Sequence, residues 1–182
     1  MESKQTQVYK ANKIFTGSEW LADHAVVVSA GRIIDVAPSS SIENTSLLEY
    51  PILAPAFMDI QIYGAHDKLL AVYPQADSLH KLYDYCSKGG ASHFQPTVAT
   101  NTYQVFYQCI DAVKAYWKEG GKGCIVFRVE GPWINKQQKG AYIASFIHSP
   151  YIADAKAILY YGKGVITSIK PVQEHCSKAA CA

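Results

Sequence analysis

The sequence predicts an α/β fold, an array of parallel βα units behind a short all-β N-terminal segment. Three observations carry this. Apolar runs of strand length alternate with helical patterns from residue 52 onward. Paired glycines, Gly89-Gly90 and Gly120-Gly121, follow the helical stretches where a helix stop is expected. Residues 124–127 are almost continuously apolar, as strands covered on both faces are.

Residues 1–50 read as a small β element. Ala25–Val28 and Arg32–Val36 flank Ser29-Ala30-Gly31, a hairpin with Gly where a positive φ is easiest. So short a segment has little core of its own. Residues 51–182 form the second domain. Its first strand ends at Tyr63-Gly64, with Met58, Ile60 and Ile62 alternating against Asp59, Gln61 and Tyr63. A helix capped by Asp77 or Ser78 follows, its apolar face Leu79, Leu82, Tyr83 and Cys86. The second strand covers Ser92–Thr97 and stops at Pro96-Thr97. A second helix spans Tyr103–Lys118, the third strand is Cys124–Glu130, a third helix covers Ile152–Tyr161, and a fourth strand covers Gly164–Ile169. About three and a half βα units cannot close an eight-stranded barrel. The chain is either a small open sheet or a piece of something larger, and the second reading is preferred.

Composition narrows the function. The chain has 182 residues, 49% hydrophobic and 18% charged, with a formal net charge of +2. Lysines and arginines are scattered without a basic run, which argues against nucleic acid as a partner. Five cysteines without a CxxC fit reduced thiols better than a disulfide framework. No apolar stretch reaches the roughly 20 residues a membrane span needs, and no signal peptide is evident. The expectation is a soluble cytoplasmic protein with no membrane partner.

In parallel α/β architectures, sites gather at the C-terminal ends of strands. Those ends offer Gln61 and Tyr63, then Thr97, then Glu130. Gln61 and Tyr63 are two apart and share a face. A carboxylate at Glu130 suits a hard or borderline divalent cation, with Gln and Tyr as weaker polar neighbours. The competing reading has Glu130 capping its loop and pairing with Lys136 or Lys139, and spacing alone favours it. Of the six histidines none forms HxH, HExxH or HxxxH. His80 is expected on an exposed helix face and His93 packed within the second strand. His66 is the only one near the presumed mouth, and His175-Cys176 could bind stray metal. No P-loop, GxGxxG or GxSxG occurs.

Residues 53–64, LAPAFMDIQIYG, together with GASHFQPT at 90–97 and VEGPWINKQQKG at 129–140, resemble the N-acetylglucosamine-6-phosphate deacetylases of the amidohydrolase superfamily. Ile14-Phe15-Thr16-Gly17 resembles the start of their small β domain. The matches run in order over nearly the whole chain, from about residue 8 to 170. The resemblance implies a partial (β/α)8 TIM-type barrel, its first three to four βα units, preceded by a small β-sandwich segment. It implies hydrolysis of the acetamide of N-acetylglucosamine 6-phosphate to glucosamine 6-phosphate and acetate, in a full-length form that is a homo-oligomer. Glu130 would be a ligand of one divalent metal ion, zinc or iron, which activates the attacking water. Ala141, Tyr142, Gln61 and Tyr63 would contact substrate.

The chain departs from the family pattern at several positions. Gln61-x-Tyr63 stands where many amidohydrolases have His-x-His, Tyr63 replaces an Asn and Tyr142 a His. Ala56 replaces Gly, and residues 170–174 differ from the family's T-L-A-P-E. The later metal-binding histidines, the phosphate-binding Arg and His, and the acid/base Asp would lie beyond residue 182, so this chain alone is expected to be inactive. Two alternatives stand beside this reading: a non-catalytic sugar-phosphate-binding or remnant fragment, and another amidohydrolase such as an N-acyl-amino-acid deacylase.

Overall fold

A computed structural model of the chain describes residues 6–42, 47–149 and 151–170. They form a mixed α/β structure that divides into two compact units, Met1–Ala56 and Phe57–Ala182.

The first unit is one four-stranded sheet. Its strands are β1 (Thr6–Phe15), β2 (Trp20–Ser29), β3 (Arg32–Pro38) and β4 (Leu47–Leu53), ordered β3-β2-β1-β4. The first three pair antiparallel, and β4 joins β1 in parallel. The expected hairpin is present, with Ala30 and Gly31 at φ 51° and 73°, the two positive values that a tight two-residue turn between twisted strands requires. Val8, Ala11, Ile14 and Ala25 are buried, a small set for a sheet of this size.

In the second unit, β5 (Phe57–Ile62) leads through a short ribbon, β6 (Gly64–Ala65) and β7 (Lys68–Leu69), into α1 (Ala76–Lys88). Then come β8 (Ala91–Ala99), α2 (Tyr103–Lys118), β9 (Phe127–Glu130), α3 (Ile152–Tyr161) and β10 (Ile166–Lys170). The main sheet has the order β10-β9-β8-β5, and every neighbouring pair is parallel. One core joins sheet and helices. Phe94 and Val98 of β8 and Phe127 and Val129 of β9 pack with Leu79, Leu82 and Cys86 of α1 and with Phe106, Cys109, Ile110, Val113 and Tyr116 of α2. Ile158 of α3 completes it. Because side chains alternate along a strand, Glu130 lies on the sheet face opposite these helices.

Several sequence expectations are corrected. The second strand does not stop at Pro96-Thr97 but runs to Ala99. Pro96 lacks an N–H, and the ladder with β5 changes register opposite it, between Asp59 and Ile62. Neither Asp77 nor Ser78 caps α1. Gln75 occupies the cap without a side-chain bond, Asp77 lies in the first turn, and the Ser78 hydroxyl donates to the Tyr73 carbonyl at 2.7 Å. The third strand is shorter than expected, Cys124 making only an isolated bridge to Phe94. His93 is exposed and bonds Ser92 instead of packing. Of the alternating Met58, Ile60 and Ile62, the first two are 55% and 59% exposed on edge strand β5, and only Ile62 is covered.

Helix α2 has the expected bounds and is capped by the Thr102 hydroxyl, which accepts from the Val105 N–H. Cys86, Cys109 and Cys124 are free thiols, the first two buried. Among the described residues no helix is long and apolar enough to cross a membrane. The expectations for His175-Cys176 and for residues 171–174 lie outside the described residues.

Candidate functional site

Glu130 is the last residue of β9, held between neighbours on both sides. It pairs with Ala99 of β8 and with Lys170 of β10. The residue is only 5% exposed. A buried carboxylate requires donors, and the structure supplies them from two directions. From β5, the Gln61 amide Nε2 donates to Glu130 Oε2 at 3.3 Å. The Tyr63 hydroxyl just beyond that strand donates to the same oxygen. Gln61 Nε2 also donates to the Tyr63 hydroxyl oxygen at 2.6 Å, so the three groups form a closed triangle. From the loop after β9, Tyr142 comes close enough for Glu130 and Tyr63 to raise its pKa. The parallel sheet thus joins residues far apart in sequence.

The phenols are held in their neutral, donating form. Burial raises the Tyr63 pKa first, and its bond to Glu130 raises it further. Tyr142 is pushed up by the same causes in the same order. A phenolate beside a buried carboxylate would place two negative charges together, so the O–H form is the one that fits.

Backbone geometry fixes the carboxylate's base. The Thr100 hydroxyl donates to the Glu130 carbonyl at 3.1 Å. Gly131 follows at φ 86°, and a Cβ there would meet Thr100 Oγ1 at 2.1 Å. Glycine is needed on both counts, for the left-handed backbone and for the close approach. The Gly131–Pro132 peptide is cis. Trp133 is buried, its indole N–H donating to the Tyr103 hydroxyl at 3.3 Å. That hydroxyl in turn donates to Asp154 of α3 at 3.2 Å. The loop is therefore tied to α2 and α3 at once.

The sequence reading named Gln61, Tyr63, Glu130 and Tyr142, and these four come together. Ala141 lies beside Tyr142 in the same loop with its methyl exposed. Lys139, the alternative partner for Glu130, directs its ammonium to the carbonyls of Gly140 and Tyr142 at 3.3 and 3.4 Å. Thr97 does not reach the strand tip: it is buried and its hydroxyl bonds the Gln95 carbonyl. Thr100 takes that place, and was missed because the strand continues past Pro96. His66 sits on the ribbon turn and pairs with Asp84 of α1 at 3.2 Å, edge-on to Tyr85, instead of joining the Glu130 cluster. Tyr103, Trp133 and Asp154 were not foreseen as one network, since only the packing of two helices on the loop makes them neighbours.

Whether these residues fit a divalent ion is a question of donor types. The cluster offers one carboxylate, one amide and two phenols. Among the described residues no group of three or more His, Cys, Asp or Glu side chains could hold a metal. Glu130 is, besides, already an acceptor for O–H and N–H donors. The described residues do not by themselves fit a divalent cation.

Comparison with known proteins agrees with the motif resemblance. A family model described as the NagA composite domain matches residues 11–45. The chain is 27% identical over 159 residues to an N-acetylgalactosamine-6-phosphate deacetylase of Escherichia coli O157:H7, covering 85% of this chain and 41% of that protein. It is 27% identical over 126 residues to the human N-acetylglucosamine-6-phosphate deacetylase, covering 66% and 30%. Among solved structures, the Mycobacterium smegmatis N-acetyl-D-glucosamine-6-phosphate deacetylase superposes with a TM-score of 0.83 at 15% identity, over 93% of this chain and 44% of that one. The Pasteurella multocida N-acetylglucosamine-6-phosphate deacetylase gives 0.81 at 18% identity, over 94% and 46%. The chain spans less than half the length of these relatives.

Proposed function

We propose that this chain is the N-terminal part of an amidohydrolase that removes the acetyl group from an N-acetylated hexosamine 6-phosphate, and that Gln61, Tyr63, Glu130, Ala141 and Tyr142 are its contribution to the site. The observation that carries this is the meeting of Gln61 and Tyr63 on the Glu130 carboxylate, with Tyr142 beside it, at the C-terminal end of a parallel sheet. Sites of parallel α/β folds form there. The motif resemblance and the similarity to hexosamine-6-phosphate deacetylases support the substrate class, in its gluco or galacto form.

In this reading the main sheet is the first part of a (β/α)8 barrel, residues 51–182, and residues 1–50 belong to a small β-sandwich. The cluster is suited to a hydroxyl-rich ligand. Glu130 accepts from a sugar O–H or amide N–H, while the Gln61 amide and the two phenols donate to ring or amide oxygens. Hydrolysis of the acetamide breaks its C–N bond and adds water across it, giving acetate and the free amine. The acid/base Asp for that step is placed by the resemblance beyond residue 182. The zinc or iron ion that the resemblance implies is assigned no step, because the described residues do not by themselves fit a divalent cation.

Titration of the chain with N-acetylglucosamine 6-phosphate and its galacto epimer, followed by NMR of the tyrosine rings, tests the assignment. The expected result is perturbation of Tyr63 and Tyr142. Perturbation confined to other tyrosines, or none at millimolar ligand, would contradict it.

A further inference from the structure

The donor set around Glu130 has a consequence for metal binding. Tyr63 O–H and Gln61 N–H both point at Glu130 Oε2, and Tyr142 stands near the same side chain. Each donated hydrogen places partial positive charge where a cation would have to sit. The carboxylate is buried, so a cation cannot approach it from open water while the phenols stay in place.

We propose that the hydroxyls of Tyr63 and Tyr142 act as internal occupants of the Glu130 carboxylate, and that they exclude a divalent cation from it in this chain. The positions matter because both phenols reach in from separate segments, one after β5 and one from the loop after β9. A cation must break two charge-assisted hydrogen bonds, among the stronger kinds in proteins, before it gains one ligand. No neighbouring His or Cys offsets that loss among the described residues. Tyr63 and Tyr142 therefore decide whether Glu130 behaves as a metal ligand or as a hydrogen-bond acceptor.

The inference rests on Glu130 being the carboxylate that faces the reaction centre, but its readout is separate from sugar binding. Cobalt(II) titration by calorimetry and visible absorption compares the native chain, Glu130→Gln, and the Tyr63→Phe/Tyr142→Phe double variant with and without Glu130→Gln. In the native chain, affinity is expected to match that of Glu130→Gln. In the double variant, the Glu130-dependent affinity is expected to rise by about tenfold or more. A one-to-one cobalt site in the native chain that Glu130→Gln removes would overturn the proposal. So would a folded double variant, checked by circular dichroism, that gains no Glu130-dependent binding. Should the double variant not fold, each single Tyr→Phe variant is held to the same comparison. Sugar-phosphate binding without any cobalt gain would defeat this inference and leave the substrate reading standing.

Discussion

The Tyr63 hydroxyl donates to Glu130 Oε2 across 67 residues of sequence, joining the first strand of the main sheet to the third. The same oxygen accepts from Gln61, so one carboxylate fastens two strands that are separated in the sheet by β8. Tyr63→Phe removes one donor to a buried charge and keeps the ring. The expected loss of stability is about 1–2 kcal/mol in chemical denaturation. An unchanged midpoint would mean that the hydrogen bond contributes nothing.

Alkaline pH should weaken the fold through its tyrosines. Burial pushes Tyr103 up to about 12, with its contact to Asp154 adding to the rise. Tyr116, whose hydroxyl bonds the Lys122 carbonyl, is pushed up to about 12 by burial as well. Both folded values lie above the ordinary phenol value near 10. The folded state thus keeps protons that the unfolded state releases, and the contribution is complete below pH 10 and lost as pH rises towards 12. Melting temperature should fall over that window, with part of the phenolate absorbance appearing only on unfolding. Tyrosine titration complete near pH 10 in the folded chain would contradict this.

Gly131→Ala tests the close approach at the strand tip. The new methyl would need a left-handed backbone and would strike Thr100 Oγ1. Destabilisation of about 1–3 kcal/mol is expected from backbone strain alone. Thr100→Ala in the same background should recover part of it, because it removes the atom in the way. No recovery would place the cost in the backbone only.

The loop anchor gives a further comparison. Trp133→Ala removes a buried ring and should cost about 3–5 kcal/mol. Tyr103→Phe keeps the packing but breaks the links to Trp133 and Asp154, and should cost about 1 kcal/mol. Both variants should broaden the NMR signals of Tyr142, which lies in the same loop. Sharp, unshifted Tyr142 signals in both would show that the anchor does not set the cluster.

Much of this was legible in the residues. Helix α2 could be closed at Gly120-Gly121, and the Ala30-Gly31 hairpin placed by its turn chemistry. Gln61, Tyr63 and Glu130 could be grouped because strand ends in a parallel sheet converge. The strand through Pro96 was not legible, since a local rule about proline yielded to a register change in the partner strand. His66 lies near Tyr63 in sequence, and the ribbon turn carries its imidazole to Asp84, half exposed. The Tyr103–Trp133–Asp154 network depends on three separated segments and leaves no local pattern.

Exposed apolar side chains on edge strand β5 predict self-association. Phe57, Met58 and Ile60 are 75%, 55% and 59% exposed, on a strand whose outer edge is unpaired among the described residues. The purified chain should sediment as more than a monomer or precipitate at moderate concentration. Met58→Lys with Ile60→Lys should shift it towards monomer. A native chain that is monodisperse, monomeric and melts cooperatively would count against this.

Glu130 and its phenol neighbours are proposed to belong to a deacetylase site. The most direct measurement is acetate release from N-acetylglucosamine 6-phosphate by the purified chain with zinc or iron added, run beside Glu130→Gln. The account predicts no release above the buffer rate from either protein. Release by the native chain that disappears in Glu130→Gln would contradict it, because the cluster would then be a complete catalytic site.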